Sequence, residues 1–297
     1  MTLREARVEA RAGWAFVAPA LGLITVFFGI PVIGALLLSF TDFDIYSIGD
    51  PGSTRFIGLR NYADLINNPL FATALRNTLY YVLVGGTLSV LASLAAAVLV
   101  NAKLVRFRAF FRGAFFAPWV TTLVAVAIVW RYIYHPAYGP LNQILGFFGV
   151  GPIDWLGDPR WAMPAIILVS VWKNFGYNML IFLAGLSTIP EELYEAAALD
   201  GAGAWHRFRH ITLPMLAPTF VFVGVVTMIA SFQIFSEPYV MTQGGPLKST
   251  LTLVLLMYEE GFRWWRLGPS AAIAVVLFLL TLAGTVIQLR LRRGSGI

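Results

Sequence analysis

Long apolar stretches alternate with short polar ones along the chain, and the apolar stretches are long enough to cross a bilayer. A transmembrane helix needs about 20 predominantly apolar residues. Six windows reach that length: Trp14–Leu38, Asn77–Val100, Gly113–Ile133, Trp161–Leu186, Met215–Phe235 and Pro269–Leu289. Backbone polar groups find no water in lipid, so each window is predicted to be a helix. The pattern predicts an all-α membrane protein with six transmembrane helices.

Composition agrees. Hydrophobic residues make up 58% of the chain and charged residues only 12%, far from the balance of a soluble domain. The net charge of +6 does not call for nucleic acid, because basic residues in loops on one side of a membrane explain it. There is no cysteine, which removes disulfides and thiolate metal sites. No internal repeat or low-complexity segment is apparent.

Basic residues set the orientation. Arg4, Arg7 and Arg11 precede the first window, and Lys103, Arg106, Arg108 and Arg112 fill the second loop. Arg207 and Arg209 lie in the fourth loop, and Arg290, Arg292 and Arg293 follow the last window. These positions share one side, so both termini are expected in the cytoplasm. The opposite loops hold Arg55, Arg60, Lys248, Arg263 and Arg266, accompanied by acids that include Asp42, Asp158, Glu237, Glu259 and Glu260. The first window is too long for a secretory signal, and Ser39-Phe40-Thr41-Asp42 lacks a small-residue cleavage pattern, so a retained span is expected. In the outer loops, Asp50-Pro51-Gly52-Ser53 reads as a turn, and Gly139-Pro140 is expected to open a short helix through Leu141–Phe148 that either lies along the membrane surface or packs against neighbouring spans.

The loop Ser187–Pro214 differs in kind. Thr188-Ile189-Pro190-Glu191 fits a capping box, and Glu191, Glu192 and Glu195 suit the positive end of a helix. Gly201 and Gly203 are expected to end that helix, and Trp205–His210 to form a second, basic one. The plain alternative is an amphipathic helix resting at the membrane surface. Small alanines after an acidic residue favour a contact surface instead: they allow close approach, and the glutamate adds a polar anchor.

Glu195-Ala196-Ala197, three residues, Gly201, nine residues, then Ile211-x-Leu213-Pro214 resembles the signature loop of the permease subunits of binding-protein-dependent ABC importers. Val171-Trp172-Lys173-Asn174, Met241-Thr242-Gln243-Gly244-Gly245-Pro246, Phe56-Ile57-Gly58-Leu59-Arg60-Asn61-Tyr62 and Val17-Ala18-Pro19-Ala20 are similar to its carbohydrate branch. That branch includes maltose, oligosaccharide and glycerol-3-phosphate permeases. The resemblance implies a type I importer permease fold in a bacterial or archaeal cytoplasmic membrane. It implies an N-terminal tail, first span and outer loop over 1–68, a core permease domain over 69–292 with its coupling loop at 187–214, and a C-terminal tail over 293–297. It further implies that Glu195, Ala196, Ala197, Asp200, Gly201 and Ala202 meet an ATPase subunit. The implied partners are a second permease in a heterodimer, two ATPase subunits that use ATP and Mg, a soluble solute-binding protein, a sugar and membrane lipid, but not nucleic acid. This chain itself is expected to bind no cofactor or metal and to be non-catalytic.

The energetics ask for such a partner. No Gly-x-x-x-x-Gly-Lys-Ser/Thr loop is present; Gly244-Gly245-Pro246-Leu247-Lys248-Ser249 comes nearest and lacks the glycine before lysine. The six windows contain no Asp or Glu, which argues against a proton-coupled carrier but leaves other ion-coupled carriers open. His135, His206 and His210 lie in loops without a nucleophile or a third metal ligand.

A solute route would need polar groups inside the windows. Asn174, Tyr177 and Asn178 share one helical face; Thr227 and Ser231 share another, with Gln233 nearby. Amides, hydroxyls and a ring suit a polyol, although such residues also join helices to one another. Lys173, deep in a span, either serves the route or pairs with carbonyls at a kink near Gly176. The first keeps glycerol 3-phosphate open as an alternative to a di- or oligosaccharide.

Overall fold

The structure is a computed structural model. It describes residues 3–50, 52, 54–102 and 105–294, with side chains described between 12 and 290 except at 48. Lys103, the Pro51 and Ser53 positions of the expected turn, and the side chains of Arg4, Arg7, Arg11, Arg292 and Arg293 lie outside the described residues. Among the described residues the chain is almost entirely helical and has no strand beyond one isolated bridge, Thr41 to Phe56.

Five helices are long and apolar enough to cross a membrane on their own: α1 (Ala12–Leu38), α2 (Pro69–Asn101), α5 (Ala162–Ser187), the segment Ala217–Met241, and one ending at Arg290. The third window behaves differently. It forms two helices, α3 (Arg108–Val120) and α4 (Leu123–Ile133), bent by 98° to one another. Thr121 and Thr122 between them are extended, and the Thr121 hydroxyl turns back to donate to the Pro118 carbonyl at 2.6 Å. The single helix expected over Gly113–Ile133 is therefore corrected to two helices joined at a sharp bend. Pro118 lacks an N–H, which weakens the last turn of α3, and a second β-branched residue follows the first extended one.

The chain divides into two compact units: Met1–Asn67 with Met257–Val276, and Asn68–Leu256 with Leu277–Ile297. In the first unit the Asn61 amide donates to the carbonyls of Ser39 at 2.9 Å and Thr41 at 2.8 Å, and the Tyr62 hydroxyl donates to Ser39 Oγ at 2.7 Å. These bonds satisfy carbonyls left open where α1 ends. Further along, Glu260 is buried against Arg266, 2.6 Å from its guanidinium. Burial holds the Glu260 carboxyl above its ordinary range, and Arg266 pulls in the opposite direction.

In the second unit α2 begins at Pro69, capped by the Asn68 side chain, which accepts from the Leu70 N–H at 2.9 Å. The window expected from Asn77 thus starts a little over two turns late. Residues 69–76 extend the helix ahead of that window. Asn77 donates to the carbonyls of Lys248 and Leu251 at 2.9 and 3.0 Å, and Thr78 accepts from the Leu253 N–H at 2.9 Å. They latch a loop in which Gln243, Gly244, Leu247 and Lys248 all have positive φ. The C-terminal part of α2 packs on α5 through Ala96, Ala97 and Val100 against Met179, Phe182, Leu183 and Leu186. Of the five single-helix spans, α5 is the most buried within the chain.

After α5 come the short helix α6 (Glu191–Leu199), a helical stretch from Ala204, α7 (Ala217–Phe232) and α8 (Ser236–Met241). The last helix is α9 (Leu267–Gly294).

Candidate functional site: a polar cavity and an exposed loop helix

The cavity lies on α5. Asn174, Tyr177 and Asn178 face it from that helix, Thr227 and Ser231 from α7, and Gln233 from the residue after α7. The structure therefore brings together all six polar residues singled out for a solute route. The cavity holds about 250 Å³. Asn178 also donates to Thr227 Oγ1 at 3.0 Å, and Asn174 donates back to the Ser170 carbonyl at 2.8 Å. Some of this polarity thus ties helices together, as the plainer reading expected, while still lining the space.

Further lining residues lie outside those six, Trp119, Ser170 and Glu237 among them. Trp119 stacks on Tyr177, with ring centroids 4.5 Å apart and planes 17° from parallel. Together the two rings make an aromatic wall, and Trp119 reaches it because it sits beside the break between α3 and α4. Ser170 lies one turn before Asn174 on α5. Glu237 had been assigned to an outer loop; it is buried, lines the cavity, and accepts from Ser170 Oγ at 3.2 Å. It lies within the candidate span Ala217–Met241, so the absence of a carboxylate from the spans is corrected. The window had been closed at Phe235, two residues before it.

Lys173 does not line the cavity. Its ammonium donates to the carbonyls of Pro118, Trp119 and Thr121 at 3.3, 3.1 and 3.1 Å. Those carbonyls are freed where α3 ends, and a cation there also opposes the negative end of the helix. The structural reading of Lys173 therefore holds, with one correction: the carbonyls belong to the break after α3, not to a kink in α5 itself. Gly176, one turn on, explains how α3 comes so close, because a Cβ built there would overlap the Phe115 carbonyl. The Lys173 ammonium also lies 5.7 Å from the Trp119 ring centroid, so one side chain fixes both the break and the aromatic wall.

The loop helix α6 is built at its C-terminus as expected. Gly201 has φ +79°, the Ala202 N–H donates to Ala197 O at 2.8 Å, and the Gly201 N–H donates to Ala198 O at 3.1 Å. This is a Schellman ending with glycine in the left-handed position. Its start is not as expected. Pro190 is the cap residue and offers no side-chain bond, while Thr188 Oγ1 donates back to the Gly185 carbonyl at 2.8 Å. The expected capping box is corrected on that ground: the threonine hydroxyl finishes α5 rather than starting α6.

Glu195, Ala196, Asp200 and Gly201 are exposed, and Ala197 and Ala202 partly so. Beside them Leu193 and Trp205 are exposed, and Leu199 is 90% exposed. The opposite face is anchored: the Tyr194 hydroxyl is 2.9 Å from Thr212 Oγ1, and Tyr194, Phe208 and Ile211 pack on the core that joins α2 and α5. The expected basic helix over Trp205–His210 runs on through a π-turn at Phe208–Thr212 toward α7. Within it the ring of His210 bonds the His206 carbonyl at 3.0 Å. No cluster of metal-ligating side chains occurs among the described residues.

Residues 88–295 match the family described as "Binding-protein-dependent transport system inner membrane component". The chain is similar to the arabinooligosaccharides transport system permease protein AraP of Bacillus subtilis (strain 168), 38% identical over 282 residues and covering 94% of this chain and 88% of that one. It is similar to the lactose transport system permease protein LacF of Rhizobium radiobacter, 36% identical over 281 residues, covering 93% of this chain and 92% of that one. Its fold matches a chain of a bacterial ABC transporter involved in the import of the acidic polysaccharide alginate. That match has TM-score 0.81 and 22% identity, and it covers 98% of each chain. A multi-pass chain with a polar cavity inside its helices and a braced, exposed loop helix therefore belongs to the binding-protein-dependent transport system inner membrane components, the permease subunits of ABC transporters.

Proposed function

We propose that this chain is one of two permease subunits of an ATP-driven sugar importer. The two permeases form a heterodimer, a soluble binding protein delivers a di- or oligosaccharide, and two ATPase subunits use ATP and Mg. The sugar class rests on the relatives named for arabinooligosaccharides and lactose and on a cavity lined by amides, hydroxyls and two stacked rings. Such a lining suits a polyol, because directional hydrogen bonds orient it and a ring covers its apolar face. Lys173 had kept glycerol 3-phosphate open, but its three bonds to carbonyls remove that reason.

The observation that carries the coupling role is α6, with an exposed outer face and an inner face fixed to the helices on either side. A partner that grips Glu195, Ala196, Ala197, Asp200, Gly201 and Ala202 moves α5 and α7 with it, and the cavity lies between those two helices. ATP binding closes the ATPase pair and turns the cavity outward; hydrolysis returns it inward. In this arrangement α6 and both termini are cytoplasmic, and the chain performs no catalysis of its own.

The chain has no native cysteine, which makes the test clean. In a purified assembly, Ala196→Cys should cross-link to a cysteine in the ATPase cleft, and in sealed membrane vesicles of known orientation it should react with a membrane-impermeant thiol reagent only from the cytoplasmic side. Labelling from outside, or no cross-link in an assembly that hydrolyses ATP, would remove the coupling role.

A further inference from the structure

The charges around the cavity are unevenly placed. Among the described residues that line it, Glu237 is the one carboxylate, and no lysine, arginine or histidine joins it. Lys173, three residues after Ser170 on α5, acts on Glu237 electrostatically and offsets part of its charge, but its N–H groups are taken up elsewhere. An ammonium has three N–H donors, and three carbonyls occupy them. A carboxylate has about four acceptor positions. Ser170 Oγ fills one on Glu237 at 3.2 Å, and the cavity lies in front of the group. The rest of the wall near it is uncharged.

We propose that Glu237 is a specificity-determining residue of the transport route, one that accepts hydroxyls of a neutral saccharide and bars anionic solutes. The inference rests on the cavity being that route. Two adjacent hydroxyls can donate to the two oxygens of one carboxylate. An anion in the same place meets a like charge in a space with little water to screen it, and that repulsion separates solutes of similar size. Overall shape does not decide this property, since the fold is shared with an importer of an acidic polysaccharide; the cavity lining does.

The test measures binding to the complete detergent-purified permease–ATPase complex without its solute-binding protein, so that the membrane part does the selecting. The probes are three trimers: neutral maltotriose, anionic trigalacturonate and cationic glucosamine trimer. The wild type should bind the neutral and cationic trimers and exclude the anionic one by at least about tenfold. Glu237→Gln should weaken maltotriose and narrow the gap to trigalacturonate by about tenfold, while Ser170→Ala, which keeps the charge, should still exclude the acid. A wild type that takes trigalacturonate as well as maltotriose overturns the inference without any variant. So does a Glu237→Gln complex that still excludes the acid, and in that case the sugar route stands. If none of the trimers binds, the route reading fails and the inference fails with it.

Discussion

Lys173 shows how a single residue is set by groups far from it in sequence. A lysine in the middle of a span is costly wherever it faces lipid, so a buried partner could be expected from the sequence alone. The partner itself could not be read, because three backbone carbonyls become acceptors only when α3 stops at Val120. Lys173→Met should leave those carbonyls unpaired in the protein interior and lower stability by on the order of 3 kcal/mol. Thermal unfolding of the purified assembly measures this, and an unchanged midpoint would show that the carbonyls find other partners. The quench or shift of Trp119 emission should change in the same variant, because the ammonium sits over its ring. Glu237 was misassigned for a related reason. Its neighbours Ser236 and Pro238 end an apolar run, and only the turn into α8 returns the side chain to the interior.

At the scale of elements, hydrophobic length was a dependable guide and polarity was not. Five apolar windows became candidate spans, because lipid allows the backbone few other arrangements; the fifth is interrupted at residues 233–235 between α7 and α8. The third broke, since a buried carbonyl cap replaced the helical bonds that length alone would have required. The start of α2 lies before the expected window because the Asn68 cap and Pro69 open the helix eight residues earlier, whereas Asn77 and Thr78, inside the window, hold the loop at 242–253. Asn77→Ala should cost about 2 kcal/mol through the two carbonyls it abandons and speed amide hydrogen exchange in residues 243–251. The end of α6 was legible, because few signals are as local as a glycine required at positive φ. Gly201→Val should impose roughly 1–2 kcal/mol of backbone strain and uncouple hydrolysis from uptake in proteoliposomes. Gly203→Ala is the control: Gly203 has φ −68° and open space around it, so transport should be unaffected. Equal behaviour of the two variants would argue against the turn as the coupling element.

Across the whole molecule, one helix serves both functional regions. Asn174, Tyr177 and Asn178 of α5 line the cavity, and Ser187 at its end adjoins α6. About nine residues separate Asn178 from that end, roughly 14 Å at 1.5 Å per residue. If the proposed coupling holds, motion applied at the loop would reach the cavity through this one helix rather than through a chain of contacts. Tyr177→Ala and Ser231→Ala should change solute-stimulated ATP hydrolysis while expression and assembly stay at wild-type levels. Parallel loss of assembly and activity would assign both residues to packing instead. The grouping of the six polar positions was visible from helical spacing. Their closure by Trp119 was not, since it depends on the bend between α3 and α4.

The lysine bond to the α3 break also bears on how the chain is made. The bent pair α3 and α4 precedes α5 in sequence, so it leaves the ribosome first. The helix that carries Lys173 is the least hydrophobic of the five single-helix spans, with mean hydropathy 1.5, and a lysine at its centre adds about 3 kcal/mol to insertion. The carbonyls that bind its charge in the folded chain are therefore synthesised before the lysine. Permuting the gene so that α5 is synthesised before α3 should leave the nascent segment stalled or wrongly threaded, a biogenesis defect that glycosylation mapping would detect.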